Sequence, residues 1–220
     1  MKTIILHGWG HNAQLWQGLA DKLPDTVAID LPGFGDELLV KDDWGIPQYA
    51  DWVQEKIKKN NHAILIGHSF GGRVAAEIAS KQSKNLKALV LAGAPCLYRP
   101  TKKTKLKIKL YKSLKTFLPE NTHKIFYSED LKFAGELKKI FRKVVVYDQT
   151  RKLKKINVPT LLIWGENDDQ APLRIAEEMS YLIPNSELKI IEKAGHNAFL
   201  EKPNLFFGWA NEFIKNIPNL

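Results

Sequence analysis

The turn Gly67-His68-Ser69-Phe70-Gly71-Gly72 constrains this chain more than any other stretch. It follows the apolar run Ala63-Ile64-Leu65-Ile66 and precedes Arg73-Val74-Ala75-Ala76-Glu77-Ile78-Ala79, which reads as a helix. A strand that passes into a helix over so few residues must turn sharply. The serine at such a turn is held in a strained backbone conformation, with its hydroxyl at the C-terminal edge of a sheet. It also stands at a helix N-terminus, where the dipole favours developing negative charge. G-x-S-x-G by itself occurs in ordinary glycine-rich turns; a buried strand before it and an alanine-rich helix after it make it specific. Ser69 is therefore the candidate nucleophile.

Further apolar runs recur along the chain: Thr3–Leu6, Val27–Ile29, Ala88–Leu91, Thr160–Ile163 and Leu188–Ile191. Most are too uniformly apolar to alternate, as expected of strands buried on both faces. Helical patterns lie between them, near Ala13–Leu23, Pro47–Lys59, Phe70–Gln82, Pro172–Leu182 and Pro203–Asn216. Strand and helix alternating in this way predict an α/β fold: a mostly parallel sheet of about six strands with helices on both faces. The 220 residues suffice for a single domain, 1–220, with a core of ordinary size.

The alternation breaks once. Over about 97–152 the pattern is helical without strands, which predicts a small helical insertion above the sheet. Leu106, Leu110 and Leu114 recur every four residues and Phe117 and Leu118 extend the stripe, with Lys105, Lys109, Lys112 and Lys115 on much of the remaining surface. From Leu97 to Lys155 there are 18 basic against 5 acidic residues, a net of +13. The rest of the chain carries 15 against 19, a net of −4, so the overall +9 belongs to one segment.

Three more loops carry residues that a serine nucleophile would need. His7-Gly8-Trp9-Gly10 follows the first strand, and its glycines let the loop fold back towards Ser69. Acyl transfer requires two N–H donors for the oxyanion; Phe70, the residue after the serine, and Trp9 are the candidates. His7 reads as a loop brace. Trp164-Gly165-Glu166-Asn167-Asp168-Asp169-Gln170-Ala171-Pro172 places two acids at the end of a strand, where one can orient an imidazole. Asp169 also fits as an N-cap for the helix near Pro172. Gly195-His196 follows the last strand, within reach of the sheet edge. Of the six histidines, His62 stands at the wrong end of a strand, His68 is the variable residue of the turn and His123 lies in the insertion. His11, beside the Trp9 loop, is the rival to His196.

Together these motifs resemble the α/β-hydrolase superfamily, over nearly the whole chain. The H-G-W-G loop, Asp30-Leu31-Pro32-Gly33-Phe34-Gly35, the Gly67–Gly72 turn, Val158-Pro159 with the run to Gly165, and Gly195-His196 all stand where that family has them. The family pattern of Gly, then the acid three residues on, then Pro four residues later fits Gly165, Asp168 and Pro172. The resemblance therefore implies Asp168 as the acid, the catalytic set Ser69, Asp168 and His196 in the family's chain order, and a cap over Ala94–Lys155. Two antiparallel strands that usually precede the H-G loop are missing, which implies a sheet reduced to six strands.

What these readings imply is a carboxylesterase-like serine hydrolase acting on small to medium esters, with no metal or organic cofactor needed. A hydrolase of C–C bonds beside a ketone shares the same motifs. A reading of another class makes the chain a basic membrane- or anion-binding protein with a vestigial site, its Leu106–Phe117 helix lying on an anionic surface. The plainer expectation packs that stripe on the sheet and leaves the lysines in water. No aromatic-interleaved or recognition-helix pattern points to nucleic acid, and the oligomeric state is left open. No apolar run approaches the ~18 residues of a spanning helix, and the N-terminus has no signal-peptide core, so the expected location is cytoplasmic. Cys96, the single cysteine, excludes an internal disulfide and reads as a buried thiol.

Overall fold

A computed structural model describes residues 1–38, 41, 43–58, 62–82, 84–100, 106 and 135–218. Six strands form one sheet: β1 (Lys2–Leu6), β2 (Thr26–Ile29), β3 (Ala63–His68), β4 (Leu86–Ala92), β5 (Thr160–Gly165) and β6 (Ser186–Ile191). All neighbours are parallel, in the order β2-β1-β3-β4-β5-β6. The order reverses between β1 and β3. In such sheets ligands gather in the crevice at the carboxyl ends of the strands flanking this reversal.

The helices are α1 (Gln17–Ala20), α2 (Ile46–Lys58), α3 (Ser69–Ser80), α4 (Lys138–Val146), α5 (Thr150–Leu153), α6 (Leu173–Leu182), α7 (Ala198–Glu201) and α8 (Pro203–Lys215). The period of two along the strands divides them into two layers. Ile4, Leu6, Leu65, Leu89, Leu91, Leu162 and Trp164 face a core shared with α2, α3 and α6. Their alternates Ile5, Ile66, Val90, Ala92, Leu161 and Ile163 face a second core shared with Trp16, Phe206 and Ala210. Both faces of the central strands are dry, which is why the sequence there shows apolar runs instead of alternation.

The segment expected to be one helix near Ala13–Leu23 is a 3₁₀ turn, Ala13–Trp16, followed by the short α1. Its start is held from outside the helix: Asp30 Oδ1 accepts from the Ala13 N–H at 2.6 Å, and Asn12 caps the Leu15 N–H. Gly18 in the middle lowers the propensity to continue.

Of the expected 97–152 insertion, Leu97–Pro100, Leu106 and the stretch from Gly135 onward are described. The Leu110, Leu114 and Phe117 stripe lies outside the described residues; Leu106 is exposed. The two ends of the segment are tied together. The Gln149 N–H donates to the Cys96 carbonyl at 3.0 Å, the Tyr98 N–H to Asp148 Oδ2 at 3.0 Å, and Arg99 bridges Asp148 and Glu178 at 2.8 and 2.6 Å. Cys96 is buried, and burial pushes its thiol up to about 12. Among the described residues no helix is long and apolar enough to cross a membrane.

Candidate active site

Ser69 is the first residue of α3, directly after β3. Its φ is +49°, a region that side-chain-bearing residues rarely adopt. Two glycines make the turn possible. A Cβ on Gly67 would lie 2.5 Å from the Gly72 Cα, and one on Gly71 would lie 2.3 Å from the Leu6 carbonyl oxygen. The Gly71 N–H donates to the His7 carbonyl at 3.1 Å, which ties the turn to the end of β1.

That tie brings the Trp9 loop beside Ser69. Gly8, Trp9, Ser69, Phe70 and His196 line one cleft of about 410 Å³ at the carboxyl edge of the sheet. Trp9 meets Phe34, Phe70 and Phe141 edge-on, at 5.0, 5.3 and 5.0 Å between centroids. His7 braces the loop as expected: its Nδ1 donates to the Gly8 carbonyl at 2.7 Å and its Nε2 accepts from the Leu31 N–H at 3.0 Å. Burial holds its pKa below the ordinary imidazole value.

His196 Nδ1 lies 2.8 Å from Asp168 Oδ2. The Asp168 side chain is fully buried and that of His196 is 8% exposed. The other carboxylate oxygen of Asp168 accepts from the Gln170 N–H at 3.0 Å and the Ala171 N–H at 2.7 Å, so three donors surround it. Asp169 is exposed, and Pro172 stands at the N-cap of α6 in place of the capping acid that Asp169 could have supplied. The two loops are fastened to each other: the Glu166 and Asn167 N–H groups donate to the carbonyls of Ile191 and Ala194 at 3.0 and 2.8 Å. Glu201 Oε2 accepts from the Gly195 N–H at 2.8 Å.

His68, in sequence only the variable residue of the turn, has a structural role. It lies beneath this loop, and its Nε2 donates to the His196 carbonyl at 3.0 Å. Burial, reinforced by neighbouring imidazoles, keeps it well below the ordinary pKa and therefore neutral. Strand alternation was the available signal, because His68 has the parity of Ile66 and so faces the Trp16 and Phe199 layer. His11, the rival to His196, stacks on His68 with rings 5.6 Å apart, and burial lowers its pKa too. Trp9, Phe70, Leu97 and Tyr98 supply apolar and aromatic lining to the same cleft. Phe34 packs behind Trp9 and Phe70, and Phe117 lies outside the described residues.

An all-parallel sheet, a strained serine at the strand-to-helix turn beside its reversal point, and a carboxylate–imidazole pair on the last two loops define an α/β-hydrolase-type architecture. A profile of the alpha/beta hydrolase family matches residues 4–208, and the chain belongs to that family. It is 26% identical over 246 residues to the pimeloyl-acyl-carrier-protein methyl ester esterase of Legionella pneumophila strain Corby, covering 98% of this chain and 95% of that one. Among solved structures it superposes on an esterase from Exiguobacterium antarcticum with a TM-score of 0.78 at 23% identity, over 98% and 92% of the two chains. It also superposes on MenH from S. aureus with a TM-score of 0.74 at 22% identity, over 98% and 93%.

Proposed function

We propose that this protein hydrolyses small to medium carboxylic esters through an acyl-enzyme, with Ser69 as nucleophile, His196 as general base and Asp168 as its orienting acid. The observation that carries the reading is the 2.8 Å pair of buried Asp168 and His196 in the cleft that Ser69 lines from a positive-φ turn. His196 Nε2 takes the Ser69 proton as Oγ attacks the ester carbonyl. Asp168 holds the Nδ1–H tautomer and stabilises the imidazolium. The N–H groups of Trp9 and Phe70 receive the oxyanion, aided by the N-terminus of α3. The imidazolium then gives its proton to the leaving alcohol, and water activated by His196 releases the acid.

A cleft of this volume matches a small-molecule ligand, and the Legionella relative is named for the hydrolysis of a methyl ester. The test is turnover of p-nitrophenyl esters of increasing acyl length by the native protein and by Ser69→Ala. A rate that peaks at one length and disappears in the variant supports the reading. A folded native protein that turns over none of these esters contradicts it; turnover of a vinylogous 1,5-diketone by the same preparation would then point to the C–C hydrolase instead.

A further inference from the structure

Arg73 is a buried charge with an idle donor. Its side chain lines the cleft although the residue is only 5% exposed. Nη2 donates to the Tyr147 carbonyl, whereas Nε is buried and has no hydrogen-bond partner among the described residues. A guanidinium cannot shed its proton to escape this, so an unmatched buried donor is costly unless a ligand meets it. The nearby acids are committed elsewhere. Glu77, one turn further along α3, pairs with Lys152 and accepts from Tyr147 Oη. Asp148 accepts from Arg99 and from the N–H groups of Tyr98 and Thr150.

The surroundings point the same way. Arg73, Arg99 and Arg174 are among the residues lining the cleft, and none of its described lining residues is Asp or Glu. Arg99 is matched by Asp148 and Glu178 and Arg174 is exposed, which leaves Arg73 as the buried arginine among the described residues lining the cavity. It stands four residues after Ser69 on α3, so it rises from the same helix face about 6 Å further along.

We propose that Arg73 is an anion subsite and that the preferred esters carry a free carboxylate a short carbon chain away from the scissile carbonyl: monoesters of dicarboxylic acids. This rests on the hydrolase reading above and narrows its substrate. Water supplies hydroxyl to the acyl carbon and a proton to the alcohol, so the products are the alcohol and a new carboxylic acid, which ionises with release of one proton to give a dicarboxylate whose other acid group remains at Arg73.

The test compares kcat/KM for monomethyl succinate, glutarate and adipate with that for methyl butyrate, by acid release at constant pH. The half-ester of best length should exceed methyl butyrate by about tenfold or more, the worth of a charge-assisted hydrogen bond in a water-poor site. In Arg73→Gln that ratio should collapse towards one, and Arg73→Lys should recover part of it. A native preference for methyl butyrate, or a ratio that survives in Arg73→Gln, overturns the proposal. Because a ratio is read, partial loss of folded enzyme does not imitate the effect. Glutarate binding, followed as a rise in melting temperature, decides the subsite without turnover. Stabilisation of the native protein that is absent in Arg73→Gln supports the anion site even if no ester is cleaved, in which case the hydrolase reading alone fails. Equal or no stabilisation in both overturns the site.

Discussion

Around the cleft, one wall holds Ser69, Asp168 and His196 by hydrogen bonds running between the ends of strands. The second wall, made of Tyr98 and Arg99 with Arg73 reaching it from the helix of Ser69, is held by ion pairs and by bonds to the ends of the 97–152 segment. The first wall is a property of the sheet: each loop is anchored to its neighbour, so its side chains have few positions to occupy. The second depends on which side chains happen to meet. Chemistry placed on the first wall can stay fixed while the second changes what it acts upon.

Ser69→Ala should break the first wall most completely, lowering kcat for a p-nitrophenyl ester by about 10⁵-fold or more in steady-state assays. Asp168→Asn should cost about 10⁴-fold by favouring the wrong imidazole tautomer. His68→Phe should lower kcat by about 10- to 100-fold with a smaller change in KM, since it loosens the His196 loop without touching substrate.

Why Ser69 could be read from the sequence and His68 could not is a matter of range. The Gly67–Gly72 turn is local: its sterics are settled by neighbours in the chain and by one strand beside it. The bracing role of His68 depends on a loop 128 residues away, and only the extension of strand alternation past Ile66 would have aimed it there. Asp168 and Asp169 were separable by family pattern; what distinguishes them physically is that the turn N–H groups of Gln170 and Ala171 draw Asp168 inward. Arg73 read as one more residue of α3, because its burial arises from the packing of Tyr147 and Gln149 against that helix. The six strands were legible because dry strands leave continuous apolar runs, whereas their order in the sheet comes only from the pairing, and the reading of Ala13–Leu23 as one helix overran because Asp30, distant in sequence, sets where that helix begins.

A smaller effect concerns stability. Burial keeps His7, His11 and His68 below their ordinary pKa, so on acidification the unfolded chain binds protons first. Their contribution is present above the unfolded value of about 6.5 and is lost as pH falls through the lower folded values. Melting temperature should therefore drop below about pH 6.5, and His68→Phe should flatten that slope. The smallest change belongs to Asp169→Asn, which should leave both kcat and melting temperature nearly untouched, within about twofold in rate, as expected of an exposed position away from the pair.

The most direct test of the central claim is intact-mass and peptide spectrometry after rapid acid quench with p-nitrophenyl butyrate. A single butyryl group is expected on the peptide containing Ser69 and none in Ser69→Ala. Turnover without that adduct, or an adduct on another residue that persists in Ser69→Ala, would contradict the claim.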